Sequence, residues 1–90
     1  MVIDIFNNHF YFLYTMNHIK ITTKDSCGIV KNYVSLNSIE SFSNIQDTQI
    51  TINTKTGHQF IINKKFSTVE YGNITLNFDE IVDLICSKMD

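Results

Sequence analysis

Proline, tryptophan, alanine and arginine are all missing from this chain, and its 90 residues contain only three glycines and two cysteines. Each absence narrows the field. No proline-rich or serine-rich linker divides the chain, so residues 1–90 are expected to form one small domain. Without arginine, the guanidinium fork that most often reads guanine in the major groove is unavailable, and all seven basic residues are lysines. Nine acidic residues leave a net charge of -2, which disfavours a duplex-DNA reader, because such affinity comes mostly from neutralised phosphates. Cys27 and Cys86 lie far apart, without the paired spacing of a disulfide framework. No charged-then-apolar leader precedes the first expected strand, so the thiols are expected to be reduced and the protein cytoplasmic. The longest apolar run, Phe10 to Tyr14, falls far short of the roughly 20 residues needed to span a bilayer, so no membrane partner is expected.

What is present is the composition of a folded chain. It is 43% hydrophobic and 18% charged, too apolar for a disordered segment. A chain of this length buries roughly 60 to 65% of its unfolded surface, enough for one core. Abundant Ile, Asn, Phe and Tyr with no Ala or Arg suggests an AT-rich coding sequence, as in a low-GC bacterium, its phages or another AT-rich genome.

From Met1 to Asn63 apolar residues recur with period two in short runs separated by Asn, Asp, Ser and Gly, the pattern of successive antiparallel strands. The runs place strands near 2–6, 9–15, 18–23, 29–36, 39–43, 49–54 and 58–63. A helix over Val2 to Leu13 would align Phe6, Phe10 and Leu13, but the missing alanine and the Asn7-Asn8 pair favour strands. As a strand, His9 to Met16 puts Phe10, Phe12 and Tyr14 on a core face and leaves Tyr11 and Leu13 on the other. The clearest hairpin is QITINTKTGHQFIIN, where Ile50, Ile52 and Thr54 alternate with polar residues and Gly57 supplies a positive φ.

The C-terminal end changes period. Phe78, Ile81, Val82, Ile85 and Met89 share one helical face, so NFDEIVDLICSKMD reads as an amphipathic helix of about three turns. Asn77 is its expected cap, with Glu80 three residues on in capping-box position. The expected fold class is therefore α+β: an antiparallel β-sheet or open barrel of about six to seven strands, closed by one C-terminal amphipathic helix. That layout is similar to pleckstrin-homology-like domains.

Within residues 33–85 the "LN" of Leu36-Asn37, the "IE" of Ile39-Glu40, the run Asp47 to Ile52, the "TG" turn of Thr56-Gly57 and the final DEIVDLI resemble small flagellum-associated FlbD-like proteins of swarming bacteria. STVEYGNITLN is an extra stretch in that comparison. The resemblance implies the strand-and-helix architecture and no catalytic motif.

The chemistry-bearing residues form no recognised motif. His9, His18, His58, Cys27 and Cys86 lack metal-ligand spacing, and no phosphate-binding glycine loop occurs, so neither a metal nor a cofactor is expected. Asp25-Ser26-Cys27-Gly28 could supply a nucleophile with His58 as its base, but a polar turn explains it better, and the chain is expected not to be an enzyme. Cys86 is expected to be buried. The lysines look dispersed, which argues against a lipid-headgroup site and makes direct nucleic-acid binding unfavourable.

What remains is protein binding. The expected binding residues are Tyr11, Leu13, Tyr33 and Tyr71, with the acidic helix residues Asp79, Glu80 and Asp83. The leading expectation is a small non-enzymatic inhibitor of a host protein complex, of the anti-CRISPR kind that phages and mobile elements carry. The alternative is a self-associating structural or assembly module, motility-associated or pleckstrin-homology-like. A homodimer through an exposed strand edge fits either.

Overall fold

The computed structural model describes residues 17–89. Two antiparallel sheets and one helix account for nearly all of them. The strands are β1 (His18–Asp25), β2 (Gly28–Ser35), β3 (Ile39–Ile45), β4 (Gln49–Thr54), β5 (Gln59–Asn63), β6 (Ser67–Tyr71) and β7 (Ile74–Leu76), followed by α1 (Phe78–Lys88). A four-stranded sheet has the order β2-β1-β6-β7, and a three-stranded sheet the order β3-β4-β5. The chain crosses between them twice, through the 3-10 turn Leu36–Ser38 and through the corner from Asn63 to Ser67. The sheets do not close into a barrel.

Strand alternation decides which residues meet. Ile19 and Ile21 of β1 lie beside Val34 of β2 and Val69 of β6 on one face of the larger sheet. Ile50 and Ile52 of β4 lie opposite Ile62 and Phe60 of β5 on one face of the smaller sheet. These faces, with Leu36, Ile39 and the helix residues Ile81 and Ile85, form one continuous core. All the fully enclosed apolar residues except Leu36 are β-branched, the side chains that pack best on a pleated surface. Phe42, Phe60 and Phe78 pack around this centre and stay partly exposed.

The helix follows its sequence signals closely. The Asn77 side chain accepts a hydrogen bond from the Glu80 amide at 2.8 Å, and the Glu80 carboxylate accepts one from the Asn77 amide at 3.0 Å. This reciprocal cap satisfies two of the donors that a helix start leaves open, and Asp79 and Glu80 sit at the positive end of the dipole. Ile81 and Ile85 carry the buried stripe, whereas Met89 at its far end is exposed. Cys86 is exposed too, which corrects the expectation that it is buried. It follows Ile85 by about 100° around the helix, and that rotation takes it off the covered stripe.

Turns are set by individual residues. In the β4–β5 hairpin Gly57 has φ +88°, and the buried Thr54 hydroxyl accepts the His58 amide at 3.0 Å, so the one buried polar residue of the described core is satisfied within its own turn. Gly72 opens the two-residue connection from Tyr71 to Ile74 with φ +63°, the position where a type II′ turn needs positive φ. The β3–β4 connection is less well suited to its sequence. Gln46 and Asp47 both have positive φ, +52° and +57°, as a type I′ turn demands. Asn44 and Asp47 bond side chain to side chain at 2.9 Å, and the Asp47 amide donates to Asn44 Oδ1 at 3.1 Å, but neither bond involves Gln46.

The five strands expected between residues 18 and 63 are present, while those expected at 2–6 and 9–15 lie outside the described residues. The strands β6 and β7 are additional to the expected ones. Two stability outcomes follow. Ile85→Ala is expected to lower unfolding free energy by about 2–5 kcal/mol in a urea titration, because it opens a cavity in the shared core. Gln46→Gly is expected to raise it by roughly 0.5–1 kcal/mol, since a left-handed conformation is costly for a residue with a Cβ.

Candidate interaction surface

The outer face of the larger sheet is the side turned away from the core. Register fixes its members, because paired residues on neighbouring strands point the same way. Tyr33 lies beside Lys20, and Lys20 beside Glu70. One row on, Lys31, Thr22 and Thr68 are aligned. At the end of the sheet Ile29 pairs with Lys24, whose amide donates to the Phe66 carbonyl at 2.9 Å. Three of the lysines that look dispersed in sequence, Lys20, Lys24 and Lys31, thus share a face, and Lys65 sits 5.8 Å from the centre of the Phe66 ring. Lys55 lies between β4 and β5, and Lys64 sits over the Phe78 ring. Glu70 is the acid set among them, bonded to Lys20 at 3.3 Å.

The apolar members of this region are unusually open. Tyr33 is 66% exposed, Ile29 60%, Val30 56% and Phe66 50%. Ile29 and Val30 are adjacent, so they point to opposite faces of β2, and the sheet covers neither. That break in alternation was the sequence signal for an uncovered edge.

The backbone of β2 has a defined polarity. Leu36 donates to the Asn17 carbonyl at 2.8 Å, which makes that position a hydrogen-bonded pair of the β1–β2 ladder. Antiparallel pairs alternate, so Val30, Asn32 and Val34 bond to β1, whereas Ile29, Lys31 and Tyr33 direct their amides and carbonyls outward. The outward-pointing polar groups and the exposed Tyr33 ring therefore belong to the same border.

The expected binding residues do not converge. Tyr33 lies on the outer face just described, and Tyr71 is half-buried on the inner face beside Ile19. Asp79, Glu80 and Asp83 line the exposed side of α1, and Glu80 is engaged in the helix cap. Tyr11 and Leu13 lie outside the described residues. Ile29, Lys31 and Phe66 join the surface without having been singled out from the sequence, while Val30 is exposed on the opposite face of β2.

Groups with reactive side chains sit in turns. Cys27 occupies the tip of the β1–β2 hairpin, where its amide donates to Asp25 Oδ1 at 2.8 Å. His58 lies in the β4–β5 turn with Nδ1 3.0 Å from the Thr56 hydroxyl. Each is thus held by its own hairpin. No cluster of three or more metal-ligating side chains occurs among the described residues. No helix among them is long and apolar enough to cross a membrane. An open concavity of about 460 Å³ lies between the 3-10 turn and the end of α1, with Leu36 and Ile39 at its floor and Glu40, Lys55 and Lys88 at its rim.

No family model, curated protein or solved structure matches this chain. The exposure of both cysteines gives a direct check on the described surface. Two equivalents of a thiol reagent are expected to react in the native protein without denaturant, at Cys27 and Cys86. A single fast-reacting thiol would contradict the placement of one of them.

Proposed function

We propose that the chain is a non-enzymatic protein-binding module that acts by covering a partner's surface, and that the outer face and free edge of the larger sheet are its contact region. The observation that carries this reading is the exposure of Tyr33 at 66%, on a strand whose outward backbone groups have no neighbouring strand among the described residues. Tyrosine ranks among the residues that dominate binding energy, and strand addition to an open sheet edge is a recurrent recognition mode. Lys20, Lys24 and Lys31 around it favour a partner with an acidic contact surface, by charge complementarity.

In this reading the protein works in the cytoplasm as a compact inhibitor of a host complex, of the anti-CRISPR type encoded by phages and mobile elements. Its small size and AT-rich composition support that class. A self-associating assembly module, such as a motility-associated or pleckstrin-homology-like component, is the second reading, and the open β2 edge favours it independently.

Site-specific photocrosslinking in host cells separates the two. A photoreactive amino acid at position 33 is expected to capture one host protein stoichiometrically, whereas the same group at position 83 on the helix captures none. Crosslinks only between copies of the chain point to the assembly module. Absence of any crosslink at position 33 overturns both.

A further inference from the structure

Natural sheets protect their borders with short strands, bulges, charges or covering segments, because an open edge pairs with whatever strand it meets. Among the described residues, three of the four sheet borders follow that rule. β7 is three residues long. β3 carries Glu40 and a register shift between Ile39 and Ser41. β5 has five residues, and its Asn63 amide donates to the Ser67 hydroxyl at 3.1 Å. The fourth border, β2, is different. It has eight residues in unbroken register, with no proline, no bulge and Lys31 as its one charge.

The sequence of that edge also fits itself. In an antiparallel pair of identical strands, a two-fold axis through one residue sets its two chain neighbours opposite each other across the interface. An axis between residues would oppose outward-pointing backbone to inward-bonded backbone, so only axes through a residue form a ladder. Axes at Lys31 and at Asn32 align the most of β2. The first would set two ammonium groups opposite each other. The second sets Lys31 against the partner's Tyr33, twice, with both residues' backbone groups directed outward and both side chains on the outer face. It also sets Val30, which the monomer leaves 56% exposed, against the partner's Val34. Moving the axis on to Tyr33 would oppose Lys31 to the partner's Ser35, whose carbonyl already accepts the Ser38 hydroxyl at 2.7 Å.

We infer that two copies of the chain pair antiparallel through β2 about an axis at Asn32, joining their larger sheets into one eight-stranded sheet. The inference rests on the second reading of this edge, as a self-associating surface, and names its partner as a second copy. Each Lys31–Tyr33 contact places an ammonium beside an aromatic ring, an attractive arrangement, while the two lysines stand diagonally rather than face to face.

Light scattering on the full chain across a concentration series, read with charge-swap variants, tests this register. The native chain is expected to form a dimer. Tyr33→Lys opposes like charges at both symmetric positions and is expected to weaken dimerisation about tenfold or more. Adding Lys31→Glu to that variant re-creates opposite charges in the same register and is expected to restore it. Because both positions are exposed, circular dichroism should show the variants folded. A monomer at every concentration overturns the inference, as does a dimer indifferent to Tyr33→Lys. A monomer whose Lys31 and Tyr33 amides are protected from exchange also overturns it and assigns the edge to another segment of the same chain. Host-protein capture from position 33 is read separately, so a monomer that still captures a partner removes the dimer and leaves the protein-binding reading standing.

Discussion

Everything in the larger sheet depends on the register of β1. This strand pairs on both sides, with β2 and with β6, so its eight residues set the facing of three strands at once. With Ile19 and Ile21 turned inward, Lys20, Thr22 and Lys24 must turn outward, and they carry Tyr33, Lys31 and Ile29 of β2 with them. A slip of one residue would turn lysines into the shared core and expose the isoleucines. The cost of burying unpaired ammonium groups is the physical reason the register is specified, and the interaction surface is its by-product.

The smaller sheet and the helix complete the enclosure that β1 begins. The two sheets share one core because the chain turns between them at the 3-10 turn and again at the Asn63 corner. The helix then covers the junction with two isoleucines and keeps its acidic residues outward. Asp79, Glu80 and Asp83 are exposed on α1, while Lys20, Lys24 and Lys31 share the outer sheet face with Glu70.

How much of this was legible depended on the range of the interaction. The helix, its Asn77–Glu80 cap and the β4–β5 hairpin are specified by residues within a turn or two of one another, and the sequence announces them. The β6–β7 hairpin also carries a local signal, Gly72-Asn73 between apolar runs, but its last strand has only three residues, too few to show a period. Gln46 is a different case, since nothing in its side chain asks for the left-handed turn that strand register forces on it. The basic, aromatic face could not be read at all without the pairing of β1 to both neighbours, because Lys20, Lys31 and Phe66 are strangers in sequence. Of the expected binding residues, Tyr33 lies on that face, Tyr71 turned toward the core, and the helix carboxylates stand apart from both.

The register that turns Tyr33 and the lysines outward can be read from nuclear Overhauser contacts between α-protons. Non-hydrogen-bonded antiparallel pairs bring their Cα atoms within about 4.5 Å, close enough for strong α-proton contacts. Such contacts are expected between Lys20 and Tyr33 and between Thr22 and Lys31. Strong contacts displaced by one residue along β2 would contradict the account, because they would swing Tyr33 and Lys31 to the core face and dissolve the surface on which the proposed function rests.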